Sequence, residues 1–155
     1  MKRSFRYLSE FKAGEKFTTL ARTVTEADVI LFAGISGDNN PIHTDQIYAE
    51  KLPFGSRIAH GLLGAAIATG LWGRLGLVDG SAIAALDTYW KFVGAIPIGD
   101  TIHCEIEVKE AKQSSSKPDR GVLNIEYKII NQDGNVCQIG NMATMLKWSP
   151  PAGEE

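Results

Sequence analysis

Residues 58–73 read Ile-Ala-His-Gly-Leu-Leu-Gly-Ala-Ala-Ile-Ala-Thr-Gly-Leu-Trp-Gly and form the longest apolar run of the chain. The run is shorter than the ~20 residues that cross a bilayer, and His60 interrupts it, so we expect no membrane contact. It predicts a helix over residues 59–71 that is apolar nearly all round, which is typical of a central helix covered on every side. The glycines inside it each cost roughly 1 kcal/mol against alanine, which indicates close approach by another backbone or a ligand.

The sequence after this run alternates polar and apolar residues, which is the pattern of strands with one buried face. We predict four strands, which cover residues 81–91, 101–109, 122–131 and 136–148. Residues 131–134 read Asn-Gln-Asp-Gly and predict a hairpin turn, since Asp-Gly is a strong hairpin signal. A shorter alternating stretch within residues 10–24 predicts one more strand, which follows a turn.

Two shorter helices are predicted ahead of the apolar run. Thr25 is a suitable N-cap for a helix over residues 26–34, whose acidic first turn suits the helix dipole. The consecutive apolar residues of this helix predict one heavily buried face. Residues 44–51 predict a second helical piece, with Ile47 and Tyr48 pointing inward.

This order of elements predicts the α+β class. We expect a single domain over residues 1–148, in which one antiparallel sheet wraps around the central helix and buries it. Residues 149–155 are expected to form a flexible tail. A second subunit would cover the sheet edges that remain open.

Composition narrows the function classes. The 155 residues are 44% hydrophobic and 22% charged, which is enough for a core, and the net charge of −2 carries no basic stripe for nucleic acid. Cys104 and Cys137 are far apart in the sequence and neither belongs to a Cys-x-x-Cys pair, so we expect neither a zinc site nor a disulfide framework. No apolar segment follows the basic N-terminus, which argues against a secretory signal. We therefore expect a cytoplasmic protein.

Residues 37–43 read Gly-Asp-Asn-Asn-Pro-Ile-His and place a carboxylate, Asp38, five positions before an imidazole, His43. Pro41 fixes its own φ and pushes Asn40 toward extended backbone, so the segment is a rigid bend. Two titratable groups on one bend can share a water molecule and divide the acid and base roles. In isolation, an Asx-turn is the better explanation of Asp38.

Three stretches together resemble the MaoC-like family, which includes the (R)-specific enoyl-CoA hydratases. Residues 32–43 read Phe-Ala-Gly-Ile-Ser-Gly-Asp-Asn-Asn-Pro-Ile-His, and Ala49 completes the family signature. Residues 58–63 match the family's His-Gly block at the start of the central helix, and residues 98–101 weakly match its turn before a strand. The resemblance implies a hot-dog fold, in which a curved antiparallel sheet wraps around a long helix. It also implies a homodimer or a higher even oligomer with the acyl-thioester tunnel near the interface, and neither a metal nor a redox cofactor.

The activity that the resemblance implies is that of a hydro-lyase, which reversibly hydrates a trans-2-enoyl-CoA to an (R)-3-hydroxyacyl thioester. Three alternatives stay open on sequence grounds: a dehydratase acting on acyl carrier protein substrates, a hot-dog acyl-thioesterase, and a non-catalytic acyl-thioester binding subunit. Fold alone does not separate them. Acyl chain length also stays open.

Site residues follow from the same resemblance. Asp38 and His43 are the expected catalytic pair that holds the attacking water, in roles that the sequence does not divide between them, and Asn40 is expected to brace the bend or orient the pair. At neutral pH the pair starts as a carboxylate and a mostly neutral imidazole.

The central helix is expected to supply the substrate-binding groups. We assign the backbone N–H of Gly61 to the thioester oxygen, because a helix N-terminus presents unpaired N–H groups and a positive dipole end. Thr69 takes the place of a pocket-lining serine of the (R)-hydratases. His60 is expected to act structurally beside the substrate, by capping the helix or bonding a nearby carbonyl.

Overall fold

One antiparallel sheet of six strands forms the frame of the computed structural model, which describes residues 3–150. The strands are β1 (Lys16–Thr18), β2 (Arg22–Thr23), β3 (Ala82–Phe92), β4 (Thr101–Gln113), β5 (Arg120–Ile130) and β6 (Val136–Lys147). Their order across the sheet is β1-β4-β5-β6-β3, and β2 also pairs with β4. The four strands predicted after the apolar run are confirmed, whereas the strand predicted within residues 10–24 is two short pieces.

Four α-helices and one 3-10 turn complete the described fold. They are the 3-10 turn Leu8–Glu10, α1 (Glu26–Ser36), α2 (Pro41–Thr44), α3 (Gln46–Ala49) and α4 (Gly61–Gly73). The longest, α4, lies against β4, β5 and β6, so the predicted α+β arrangement of a sheet around one apolar helix is confirmed. None of the helices within residues 3–150 combines the length and apolar character that a membrane span needs.

The core lies between α4 and the inner face of the sheet. Every second residue is buried there along β4 as far as Val108 and along β5 from Leu123 to Ile129, as the alternation predicts: Ile102, Cys104, Ile106, Val108, Leu123, Ile125, Tyr127 and Ile129. Each large apolar side chain buried in this way contributes about 1.5–3 kcal/mol. Cys104 and Cys137 are buried free thiols. The predicted tail is described only at residues 149 and 150, and residues 151–155 lie outside the described residues.

The predicted start of α1 is confirmed, but its buried face is not. Thr25 caps the helix: the Asp28 N–H donates to Thr25 Oγ1 (3.3 Å), and the Thr25 N–H donates back to the Asp28 carboxylate (2.8 Å). Val29 and Ala33 are buried, whereas Ile30 and Leu31 are 49% and 65% exposed. The helix lies at the surface and buries only the stripe that faces the core, so a run of consecutive apolar residues did not define one covered face.

The helical piece predicted over residues 44–51 is wrong in its orientation. It divides at Asp45, whose carboxylate accepts a hydrogen bond from the Tyr48 N–H (3.0 Å) and so begins α3. Ile47 and Tyr48 are 66% and 45% exposed, and Ala49 is the residue that faces the core.

The prediction that α4 is covered on every side is also wrong for one stripe. Leu62 is 62% exposed, and the small residues that follow it along the same face of the helix, Ala66 and Gly70, are exposed too. The glycines were predicted to admit another backbone or a ligand, but at Gly61 and Gly64 the neighbours are side chains, and a Cβ on Gly70 would meet nothing within 4 Å. A Cβ on Gly61 would lie 2.8 Å from the Phe92 ring, and a Cβ on Gly64 would collide with the Gln138 side chain.

Candidate active site

Asp38 is held in place by its nearest neighbours in the chain. Gly37 ends α1 with φ of 77°, a left-handed conformation that favours glycine. The Asp38 N–H then donates to Ser36 Oγ (3.1 Å), and Asp38 Oδ1 accepts from the Asn40 N–H (3.3 Å). The Asx-turn is therefore present, and it uses one carboxylate oxygen of an exposed side chain.

Asn40 braces the bend, as the sequence predicts. Its Oδ1 accepts a hydrogen bond from the Ile42 N–H (3.2 Å), which makes Asn40 the N-cap of α2, and Pro41 occupies the first helical position. One short helical turn later, the chain directs His43 into the protein interior.

His43 is 7% exposed, and a backbone contact fixes which nitrogen of its neutral ring carries the hydrogen. Nδ1 lies 2.7 Å from the carbonyl oxygen of Ile58. Because a carbonyl only accepts, Nδ1 carries the hydrogen, and Nε2 of the neutral ring keeps its lone pair. Burial lowers the pKa of His43 below its usual 6.5, and the neighbouring His60 lowers it further, against the opposing effects of the Ile58 carbonyl and the Asp38 carboxylate.

His60 joins the two halves of the site. It is 2% exposed, and its ring stacks on His43 with centroids 3.8 Å apart. Its Nε2 lies 2.9 Å from the backbone oxygen of Asp38 and donates to it, so the predicted carbonyl bond is confirmed and the predicted cap is not formed. His60 Nδ1 is buried without a hydrogen-bond partner among the described residues.

Asp38, His43 and His60 thus form one cluster, in which one ligand atom of each lies within 4.8 Å of the others. Carboxylate and imidazole groups at this spacing can hold a water molecule or a metal ion. The carbonyls of Ile58 and Asp38 already engage one ring nitrogen of each histidine. The groups left for a ligand are the Asp38 carboxylate, His43 Nε2 and His60 Nδ1.

A pocket of about 340 Å³ opens beside this cluster. It is lined by Ile42, His43, Phe54, Ile58, Ala59, Gly61, Phe92, Val93, Gly94, Ala95, Ile96 and Gln138. Gly61 is the first residue of α4, whose first N–H groups have no partner within the helix. The wall is apolar except for His43 and Gln138, so the pocket suits an apolar ligand with few polar groups.

The structure does not bring Thr69 to this pocket. Thr69 lies roughly two turns along α4, and its hydroxyl donates to the carbonyl oxygen of Ala66 (2.8 Å). Gln138, in contrast, is a pocket residue that sequence reasoning missed. The available signal was a glutamine between two apolar residues, Cys137 and Ile139, of a predicted strand.

Comparison with known proteins gives a consistent result. The family model described as "MaoC like domain" matches residues 10–128. The (R)-specific enoyl-CoA hydratase of Rhodospirillum rubrum is 35% identical over 102 residues, which are 66% of this chain and 69% of that protein.

Solved structures agree with this match. A monoamine oxidase regulatory protein from Archaeoglobus fulgidus superposes with a TM-score of 0.88 at 32% identity, over 97% of this chain and 99% of that one. The (R)-hydratase of Aeromonas caviae involved in PHA biosynthesis gives a TM-score of 0.71 at 28% identity, over 90% and 98% of the two chains.

Proposed function

This chain belongs to the MaoC-like family, and from that premise we propose that it is a hydro-lyase which interconverts a trans-2-enoyl-CoA and an (R)-3-hydroxyacyl-CoA. The hot-dog fold that the family match implies agrees with the sheet and central helix described above. The thioesterase alternative is not favoured, because the matched relatives carry hydratase and dehydratase names.

One observation carries the proposal: at neutral pH the site presents two hydrogen-bond acceptors to one water molecule. His43 offers Nε2, because Nδ1 is committed to the Ile58 carbonyl. Asp38 offers its carboxylate in the same cluster, in which one ligand atom of each residue lies within 4.8 Å of the others. A water held between them donates one hydrogen to each and turns an oxygen lone pair toward C3 of the enoyl group. As the C3–O bond forms and the C2=C3 π bond breaks, one of the two acceptors takes a proton from the water, and the protonated group then delivers a proton to C2.

The thioester oxygen needs hydrogen-bond donors as it gains negative charge. We assign the Gly61 N–H to this role, because it opens a helix of 13 residues and lines the same pocket as His43. Glycine leaves space here for the Phe92 ring, which would lie 2.8 Å from a Cβ at this position.

The test is hydration of crotonyl-CoA, followed by loss of the absorbance of the conjugated thioester. We expect Asp38→Asn and His43→Gln each to lower kcat by about 100-fold or more, as loss of a positioned acid or base does. His103→Gln is the matched control, because His103 lies on β4 between the buried Ile102 and Cys104 and therefore faces the other side of the sheet. Wild-type rates in both site variants would refute the assignment.

The assembly is proposed to be a homodimer or a higher even oligomer, built on the open edge at β3. Ten of the eleven residues of β3 are exposed, and β6 pairs with β3 on one side. Within residues 3–150 no strand pairs with the other side, whose N–H and C=O groups are open to a second chain. The exposed side chains along β3 are large and apolar, at Ile83, Leu86, Tyr89 and Phe92. Two copies meeting across a twofold axis would pair these strands and bury both faces.

Light scattering on the purified protein tests the assembly. We expect a dimer mass for the wild type and a monomer mass for Leu86→Lys/Tyr89→Lys, which places charge in the middle of the edge. Leu20→Lys changes a residue that is 69% exposed near the opposite edge and should leave the mass unchanged. A monomeric wild type would contradict the proposal.

We also propose a reducing, cytoplasmic location, which the free thiols Cys104 and Cys137 support.

A further inference from the structure

Arg57 lies in the segment ahead of α4 (residues 57–60), and the chemistry above does not use it. Its side chain is 16% exposed. The guanidinium reaches two helices: Nη1 lies 2.9 Å from Glu26 Oε1 at the start of α1, and Nε donates to Gln46 Oε1 (3.1 Å) at the start of α3. A single side chain therefore joins this segment to both helices.

The ion pair with Glu26 does not explain why this arginine is withdrawn from solvent. Glu26 is 60% exposed, and pairs with an exposed partner contribute little to the free energy of unfolding. Ordering a long charged side chain also costs rotamer freedom and hydration. An arginine presents a rigid fork of donors, which fixes the relative positions of the groups that it bridges. The two contacts of Arg57 therefore indicate a positioning role.

The same segment carries the carbonyl that fixes the tautomer of His43. Ile58, the residue after Arg57, accepts the Nδ1–H of His43 with its carbonyl oxygen (2.7 Å) and donates its own N–H to the Ile42 oxygen (3.3 Å). With the bond from Arg57 to Gln46, three hydrogen bonds join the segment to α2 and α3. The bond from the Ile58 N–H is longer than is usual, so we expect Arg57 to carry much of this connection.

We propose that Arg57 is a positioning residue, which acts through Ile58 to keep the hydrogen of His43 on Nδ1. The link to catalysis rests on the proposed hydratase function. A neutral imidazole can carry its hydrogen on either ring nitrogen, and the hydrogen bond that one nitrogen makes decides which form is populated. If the Ile58 carbonyl moved away, the form with hydrogen on Nε2 would become populated. That form has no lone pair on Nε2 with which to accept a hydrogen from the water.

The tautomer of His43 can be measured without a substrate. ¹⁵N NMR at pH 7.5 distinguishes a ring nitrogen that carries hydrogen from one that keeps its lone pair, and His43→Gln identifies the signals of this ring among those of the three histidines. We expect the wild type to show the hydrogen on Nδ1. Arg57→Met keeps the apolar stem and removes the guanidinium, so it should shift the signals toward the form with hydrogen on Nε2.

Activity gives the second measurement. On crotonyl-CoA, Arg57→Met should lower kcat by about tenfold and leave KM within about twofold, because His43 is disturbed while the apolar wall of the pocket remains. The midpoint of urea denaturation should change little, since Glu26 is an exposed partner. Arg22→Met is the matched control. Arg22 pairs with Asp28 of the same helix α1, and its substitution should change neither the tautomer nor kcat.

Gln46→Met keeps the test decisive if Arg57→Met folds poorly. It removes the acceptor of the Arg57 Nε–H and leaves the pair with Glu26, so it should reproduce the change of tautomer. An unchanged tautomer in both variants, or a fall in kcat without a change of tautomer, would overturn the proposal in favour of a purely structural role. A wild type that does not hydrate crotonyl-CoA would count against the hydratase function, and the NMR result would still decide the role of Arg57.

Discussion

Asp38 and His43 are five residues apart in the chain and are held by opposite means. Asp38 is exposed, and its hydrogen bonds reach Ser36 and Asn40, two residues away on either side. His43 is buried, and its ring nitrogen bonds the carbonyl of Ile58, fifteen residues away. His60 then ties the two together across 22 residues of chain, through the backbone oxygen of Asp38.

The hydrogen bonds of Asp38 and those of His43 therefore do different things for the site. The local bonds of Asp38 set the direction of its backbone and leave the carboxylate exposed to water. The hydrogen bond of His43 Nδ1 to the distant Ile58 carbonyl holds a desolvated, neutral ring in one tautomer. An exposed carboxyl group and a buried neutral imidazole can therefore face the same water although they come from one short bend.

The largest effect is expected from breaking the bond between the two halves. His60→Phe keeps a ring that can stack on His43 but removes the N–H that donates to the Asp38 oxygen. Asp38 would then shift relative to His43, and misplacement of a reacting group by about 1 Å costs on the order of 100-fold in rate. Crotonyl-CoA hydration measures the loss, and His60→Gln, which restores a donor, should recover part of it. Undiminished activity in His60→Phe would show that the local bonds of Asp38 are sufficient.

A smaller effect is expected from loosening the bend itself. Asn40→Ala removes the N-cap of α2 and should lower the free energy of unfolding by about 1 kcal/mol, measured by urea denaturation. Activity should fall by roughly tenfold, less than for His60→Phe, because Pro41 still fixes its own backbone. Asn39→Ala is the matched control, since Asn39 is exposed and contacts only the neighbouring Gly37 oxygen through its side chain. Equal effects of the two variants would argue against the bracing role.

The smallest effect is expected on the pH dependence of activity, which reports on the His43 imidazole. Because the pKa of His43 lies below 6.5 in the folded protein, the acid limb of kcat/KM should also lie below pH 6.5. His60→Phe removes one of the groups that lower this pKa, so its acid limb should move upward. A limb that stays in place would assign the titration to another group.

Stability should follow the same titration. The unfolded chain takes up a proton on His43 as the pH falls through 6.5, whereas the folded protein resists until a lower pH. The free energy of unfolding should therefore decrease over that interval, with no contribution from His43 above it. Urea denaturation at pH 7.5 and 5.5 should show a smaller decrease for His43→Gln than for the wild type.

The parts of the fold that sequence predicted are those with local causes. The cap at Thr25, the bend braced by Asn40 and the alternation along β4 and β5 each depend on residues that are neighbours in the chain. The exposure of Ile47 and Leu62 was missed, because it depends on which neighbouring elements reach those positions.

The site divides in the same way. The Asp38/His43 pair could be read from its spacing and its family signature. The stacking of His60 on His43 and the seat of Gln138 beside Gly64 join segments that are far apart in the chain, so no pattern within one segment reports them. Thr69 was expected to line the pocket because of its position along α4. Counting positions along a helix does not give the direction of a side chain, and the Thr69 hydroxyl donates to the Ala66 carbonyl.

The Phe92 ring over Gly61 links the pocket to the concentration of the protein. Phe92 is the last residue of β3, the strand that we propose to meet its counterpart in a second copy, and it also lines the pocket at the oxyanion donor. Mass action on the subunits would then influence catalysis: dilution below the dissociation constant of the dimer would expose the outer edge of β3, to which Phe92 belongs, to water. Specific activity would fall with dilution, and a saturating acyl-CoA that binds only the paired form would restore it by drawing the subunits together.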